Sequence, residues 1–346
     1  MQRPVGVSRD FLGDDGKNVW GDIGLGALDA AGIAWEYLDE YTAELTPAQI
    51  DGRPGVIFAA PTVTKTTFAG VQSPPLVLAR FGVGYDAVDL QACTDNSVAV
   101  TITPDGARRP VSTAALTMIL ASLHNLSAKD RLLRRGEWDS RTQWMGRGLT
   151  GITIGLIGLG NTSTDLVELL RPFGTEVVAY DPYCPAERAE ALGVRLSNLD
   201  DIAQTADVVV VMAVLTDETF HLINSPFLAK MKPNARLVNV SRGPIVDENA
   251  LITALQRGTI AGAALDVFET EPLSPDSPLA VMDNVILTPH CVAWTDEMSL
   301  GNGSSAVRAI VDALSAKAPQ FVVNRDVLTQ PGFQARLERQ ETGARP

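Results

Sequence analysis

The chain has 346 residues, 45% hydrophobic and 20% charged, with a formal charge of −13; that length exceeds one ordinary domain and implies two cores. Net negative charge and scattered basic residues argue against nucleic acid and acidic membrane surfaces as partners, and no run reaches the roughly 18 apolar residues of a membrane span. Three cysteines, Cys93, Cys184 and Cys291, lie too far apart for a disulfide framework or a metal site and suit small buried hydrophobes. The opening MQRPVGVSRDFLGDDG lacks a signal-peptide pattern, so a cytoplasmic, metal-free protein is expected.

Short β-branched-rich runs recur between helix-length segments, at 55–60, 76–80, 98–101, 152–158, 176–181, 207–212, 236–240, 261–267 and 284–288. They are apolar nearly throughout and do not alternate, as strands buried on both faces of a parallel sheet require. An α/β fold with doubly wound parallel sheets follows. Apolar residues three and four apart predict amphipathic helices at 110–126, 162–171, 247–256 and 296–314, with Asp247 as an N-cap and Gly258 as a stop. The long helix from Pro110 separates two groups of strands. One domain is expected over 104–296; the other would join 1–103 to 297–346, because the segment after Asp296 is too short to stand alone. From Asn324 the chain reads as an irregular charged tail with its last ten residues frayed.

The stretch TIGLIGLGNTSTDLVELL, 153–170, places Gly158 and Gly160 between a strand and a helix. In such a turn the first glycine permits the bend and the second admits a pyrophosphate, which sits on the helix's N-terminal N–H groups. Ser163 stands where a third glycine would allow close helix packing, so it alters packing more than phosphate contact, and its hydroxyl is expected to help cap the turn. Two glycines in such a loop are common by themselves. Asp181 adds weight: it ends the next strand, about 20 residues on, where a carboxylate accepts hydrogen bonds from an adenosine ribose. A dinucleotide site is predicted, with NAD favoured over NADP because Asp181 would repel a 2′-phosphate.

Further on come NVSRGPIVDENAL (239–251), GAALDVFETEPL (262–273) and LTPHCVAWTDE (287–297). With RFGVGYDAVDL (80–90) and the glycine turn, they resemble the D-isomer-specific 2-hydroxyacid dehydrogenase family, in order and spacing, over residues 76–296. The resemblance implies a Rossmann NAD-binding domain inserted in a flavodoxin-like substrate domain, a homodimer, and a small 2-oxo or 2-hydroxy acid as substrate. It implies that Arg242 holds the substrate carboxylate and polarises its carbonyl, and that Glu271 pairs with a catalytic His290. It also implies that Asp266 binds the nicotinamide carboxamide and that Val83 and Gly84 offer backbone N–H groups to the substrate carboxylate. Asn161, Thr162, Val214, Val240 and Ser241 complete the expected cofactor contacts.

The chemistry of these residue types agrees with those roles. Reducing a 2-oxo acid needs a cation for the carboxylate, a proton donor for the developing alkoxide and a hydride donor held close. Arginine meets a carboxylate bidentately, and a carboxylate beside a histidine favours the protonated ring. Taken singly, Arg242 and Glu271 would be solvated charges and His290 a turn residue; their order and spacing carry the assignment. His124 reads as packed on an apolar helix and His221 as a surface or packing residue. Arg108 and Arg109 are candidates for a second polar or anionic group on the substrate, and Tyr85, Trp294 and the loop 60–63 for its side chain. Val214 replaces a proline usual in the family and, with Ser163, bears on cofactor affinity. The family's formate dehydrogenases carry glutamine in place of Glu271, and its phosphite dehydrogenases a lysine in the loop of Val83. The rival from another class is an NAD(H)-sensing corepressor or scaffold on the same fold.

Overall fold

The computed structural model describes residues 3–342. Two compact units divide the chain, one spanning Met1–Ala107 and Trp294–Pro346, the other Arg108–Ala293. In the first, β1 (Val5–Val7), β2 (Trp35–Tyr37), β3 (Gly55–Phe58), β4 (Val77–Arg80) and β5 (Ala99–Thr101) form an all-parallel sheet in the order β2-β1-β3-β4-β5, the flavodoxin-like arrangement. Successive residues serve opposite faces. Ile57, Val77 and Ala79 pack with Val307 and Ile310 of the helix Asp296–Leu314, whereas Val56, Phe58 and Leu78 pack with Ile50 and Cys93. Because both faces are buried, the strands are continuously apolar instead of alternating.

The second unit holds seven parallel strands: β6 (Thr153–Ile157), β7 (Glu176–Tyr180), β8 (Arg195–Leu196), β9 (Val208–Val211), β10 (Arg236–Asn239), β11 (Gly262–Leu265) and β12 (Val285–Leu287). Their order is β12-β11-β10-β9-β6-β7-β8. Val209, Val211 and Leu237 face one core, and Val208, Val210 and Val238 the other. Strand order reverses between β6 and β9, and in such sheets a crevice for ligands opens beyond the carboxyl ends of the strands at that point.

Several expectations are corrected. Three strands, β1, β2 and β8, escaped the apolar pattern because they are two or three residues long and, in β2, Glu36 interrupts it. The helix expected from Pro110 starts at Pro104 and ends at Leu123; Asn125, at φ +51°, breaks it from a second helix, Leu126–Arg134. Proline suits a first helical turn, so a sequence pattern starts the helix there, yet Pro110 is carried inside it. The charged tail is structured: after a 3-10 turn, Arg325–Thr329, the helix Pro331–Thr342 buries Phe333 and Leu337 in the first unit's core. Arg336 beside them donates to the Pro74 carbonyl at 2.7 Å, and burial pushes its guanidinium down to about 10. The fraying expected for 337–346 falls, from 343 on, outside the described residues. Cys93 is buried, which pushes its thiol up to about 12, but Cys184 and Cys291 are partly exposed. Among the described residues no single helix is long and apolar enough to cross a membrane.

Candidate active site

The end of β6 meets the conditions for binding a dinucleotide. Gly158 has φ +94°, and a Cβ there would lie 2.9 Å from the Ala213 backbone, so only glycine fits. Gly160 caps the helix Asn161–Leu170, and nothing lies within 4 Å of where its Cβ would stand. The N–H groups of Asn161 and Thr162 open that helix without partners inside it, an end that receives anions. Asp181, one residue past β7, accepts the Leu159 N–H at 2.7 Å and the Tyr183 N–H at 2.9 Å. Its carboxylate therefore braces the turn while keeping lone pairs for a ribose hydroxyl. A glycine-only bend, an open helix end and a carboxylate at the neighbouring strand fit an adenine dinucleotide.

Other groups surround the turn. Ser241 donates its hydroxyl to the Ala213 carbonyl, joining the loops after β10 and β9; Val240 beside it is partly buried, and Val214 is exposed. The Tyr183 hydroxyl donates to Glu218 in the loop after β9. Arg188 places its guanidinium 3.4 Å from Asn161 Oδ1 and 3.1 Å from Thr164 Oγ1. Ser163 does not cap the turn: its hydroxyl points into the packed side of the helix, buried and without a hydrogen-bond partner. Nor is Arg109 disengaged, since it pairs at 2.9 Å with Asp165, whose side chain is 8% exposed; Arg108 remains exposed.

A second cluster forms where the chain leaves β10, β11 and β12. Arg242 opens the 3-10 turn Gly243–Ile245 and donates to the Ser241 carbonyl at 2.8 Å, while Asn239 Nδ2 donates to the Arg242 carbonyl at 3.0 Å. A Cβ on Gly243 would stand 1.9 Å from the Phe268 carbonyl carbon. That glycine lets the Arg242 turn lie directly on the loop after β11. In that loop Glu271 accepts the Phe268 N–H at 3.0 Å with one oxygen and meets His290 Nδ1 at 2.8 Å with the other. Burial pushes the Glu271 carboxyl up, but the His290 bond, the Phe268 N–H and the nearby Arg242 charge outweigh it and hold it below the ordinary range.

His290 itself sits at φ +52°, with its N–H on the Asp266 carbonyl at 2.8 Å. Asp266 is buried, and one carboxylate oxygen accepts the Thr288 hydroxyl at 2.6 Å and the N–H groups of Cys291 at 2.9 Å and Val292 at 3.0 Å. Burial raises its carboxyl above the usual range despite these bonds and the nearby His290. Asp266 thus shapes the turn that carries His290, a role its position alone did not reveal. Arg242, Glu271, His290 and Asp266 are brought together within the second unit.

The remaining expected residues behave differently. Val83, Gly84 and Tyr85 belong to the first unit, where Gly82 N–H donates to Thr103 Oγ1 at 2.9 Å and Val83 is exposed. Trp294, also of that unit, packs its ring 4.2 Å from Trp20, which in turn meets Phe81 at 5.0 Å. His124 is exposed just past its helix, not packed on it. His221 is the packing residue expected, its ring stacked on Phe220 with centroids 4.0 Å apart, but its Nε2 also lies 2.5 Å from Glu269 Oε1, a second histidine–carboxylate pair.

The D-isomer specific 2-hydroxyacid dehydrogenase NAD binding domain profile matches residues 116–292. A D-3-phosphoglycerate dehydrogenase of Methanocaldococcus jannaschii is 39% identical over 255 residues, covering 73% of this chain and 48% of that protein. The chain spans about half the length of the phosphoglycerate dehydrogenases it matches, 48% and 49% for two of them. A glyoxylate reductase of Thermofilum pendens is 37% identical over 258 residues, covering 73% of this chain and 76% of that one. Among solved structures, an NADPH-dependent glyoxylate/hydroxypyruvate reductase of Sinorhizobium meliloti superposes with a TM-score of 0.74 at 28% identity, covering 93% of this chain and 98% of that one.

Proposed function

The chain belongs to the D-isomer-specific 2-hydroxyacid dehydrogenase family, and from that membership we propose that it is an NAD(H)-dependent 2-oxo acid reductase and 2-hydroxyacid dehydrogenase. The observation that carries this reading is the 2.8 Å bond from His290 Nδ1 to Glu271, with Arg242 close enough to act on the same carboxylate. When bound at the glycine turn, the dinucleotide supplies a hydride to C2 of the oxo acid, or takes it from the hydroxy acid. Arg242 grips the substrate carboxylate and polarises the carbonyl. Because Nδ1 is committed to Glu271, His290 has Nε2 to offer, and it gives a proton to the carbonyl oxygen as charge develops there. In the oxidative direction the neutral ring takes that proton back. Asp266 accepts from the nicotinamide carboxamide, and Asp181 favours NADH by repelling a 2′-phosphate.

Glyoxylate, hydroxypyruvate and phenyl- or carboxyl-bearing analogues are the substrates expected, with D products. A homodimer is part of the reading, supported by Leu126, Leu133, Trp138 and Met145, all exposed on the second unit. The test follows NADH absorbance over a panel of 2-oxo acids, with products resolved on a chiral column. Binding of NADH without turnover of any acid favours the sensing corepressor or scaffold instead. Equal catalytic efficiency with NADPH contradicts the role given to Asp181.

A further inference from the structure

The loops after β9, β10 and β11 meet at a polar cluster that the proposed reaction leaves unused. His221, in the first loop, has φ +50°; its N–H donates to the Pro244 carbonyl at 2.9 Å, and its Nε2 meets Glu269 Oε1 at 2.5 Å. That same oxygen accepts the Glu248 N–H at 3.1 Å, while the Glu269 N–H donates to Glu248 Oε2 at 3.1 Å. Pro244 adjoins Gly243, which lies against Phe268. Glu269 follows Phe268, and Glu271 stands two residues further along. The cluster therefore fastens the loop that carries Arg242 to the loop that carries Glu271.

Two carboxylates, Glu248 and Glu269, belong to this cluster, and His221 bonds the second. Burial, together with the Glu269 charge, pushes Glu248 above the ordinary carboxylate range, so the two acids repel each other. An imidazole N–H on Glu269 offsets that repulsion. We propose that His221, acting through Glu269, is a positioning residue for Glu271: it fixes the backbone from which Glu271 reaches His290. Glu271 is bonded to the Phe268 N–H, one residue before Glu269, so a shift of Glu269 moves Phe268 and with it the carboxylate that holds His290. Only the consequence for turnover rests on the proposed reaction; the geometry does not.

The first measurement is spectroscopic. The chain has three histidines, so their ring nitrogen signals can be assigned by substitution. The His290 Nδ1 signal reports the bond to Glu271, and it is expected to move in His221→Ala and to keep its wild-type position in His221→Gln, whose amide N–H can still reach Glu269. Turnover in His221→Ala is expected to fall about tenfold or more, the scale of a small misplacement of reacting groups. NADH affinity should stay unchanged, and His221→Gln should restore most of the rate. Unmoved His290 signals in His221→Ala overturn the proposal, even if the rate falls. If that variant does not fold, Glu269→Gln serves: it keeps an acceptor for the Glu248 N–H but drops the charge, so a smaller displacement of the same signal supports the proposal and none overturns it. A wild type without turnover overturns the proposed function alone, since the spectral comparison still decides the role of His221.

Discussion

Two histidine–carboxylate pairs share one loop, their acids two residues apart, and they do opposite things with the same parts. His290 bonds Glu271 through Nδ1 at 2.8 Å; His221 bonds Glu269 through Nε2 at 2.5 Å. Both histidines hold a left-handed backbone, φ +52° and +50°, a conformation that costs non-glycine residues on the order of 1 kcal/mol or more. In each pair a carboxylate compensates by fixing the ring. The difference lies in which nitrogen is spent. A ring held by Nδ1 keeps its far nitrogen, Nε2, for a reacting partner, whereas a ring held by Nε2 has used its tip. Exposure agrees, with side chains 46% and 37% exposed in the first pair and 34% and 27% in the second. A histidine beside an acid is therefore no sufficient mark of catalysis; the nitrogen that remains available is the better one.

The largest way to test that distinction is His290→Ala. With His290 as the proposed proton donor, its loss should lower turnover about 10³- to 10⁴-fold, the upper part of the range for acid–base groups, with NADH binding retained. The comparison breaks if His221→Ala costs as much.

Glu271→Gln should cost less, about 10²-fold, because the ring keeps a neutral partner of the same shape. Its pH dependence has a definite sign. The Glu271 carboxyl is held below its unfolded value, so its contribution is complete above the ordinary glutamate range and is lost as pH falls through the depressed value. The stability difference between wild type and Glu271→Gln, read from urea midpoints, should therefore shrink as the solution is acidified below that range. A difference that grows on acidification would contradict the pairing.

Gly243→Ala attacks both pairs at once. With its Cβ 1.9 Å from the Phe268 carbonyl carbon, the two loops must separate, at about 1 to 3 kcal/mol of stability. Thermal unfolding measures the cost, and the signals of both His221 and His290 should move together. Movement of only one would show that the loops are not a single unit.

What could be seen in advance follows from the same distinction between identity and geometry. The long strands were legible because VVVV in β9 and GVIF in β3 are buried on both faces and so apolar at every position. β2 was not, since Trp35, Glu36 and Tyr37 form a half-exposed strand beside β1 at the edge of the sheet. The terminal helix hid its anchor: Phe333 and Leu337 are one helical turn apart among charged neighbours, too few for a periodic pattern. At the site, family spacing singled out Arg242, Glu271 and His290, which the structure brings together. Spacing says nothing of which oxygen or nitrogen is engaged, so the bracing roles of Asp266, Asp181 and His221 emerged only from coordinates. The same limit explains Arg109, whose charge is visible in sequence while its partner Asp165 on another helix is not.

The smallest effect concerns a polar group with no partner at all. In each histidine pair the ring is matched to a carboxylate, and that match is what makes the groups worth ordering. Ser163 is the contrast: 1% exposed, with a hydroxyl that meets no acceptor. A buried hydroxyl left without a partner costs about 1 to 3 kcal/mol relative to an apolar group of similar shape, and alanine is the better helix former. Ser163→Ala should thus raise stability by about 1 kcal/mol or slightly more, since the side chain keeps its Cβ contact and loses only the orphaned oxygen. Ser163→Gly, by contrast, should gain nothing in stability, because helix propensity falls by about 1 kcal/mol from alanine. In neither variant should the reaction change, since Gly158, Gly160 and Asp181 are untouched; NADH affinity should at most tighten in the glycine variant. A loss of NADH binding in Ser163→Ala would mean that the hydroxyl finds its partner in the bound dinucleotide, and that the third position of the turn is functional after all.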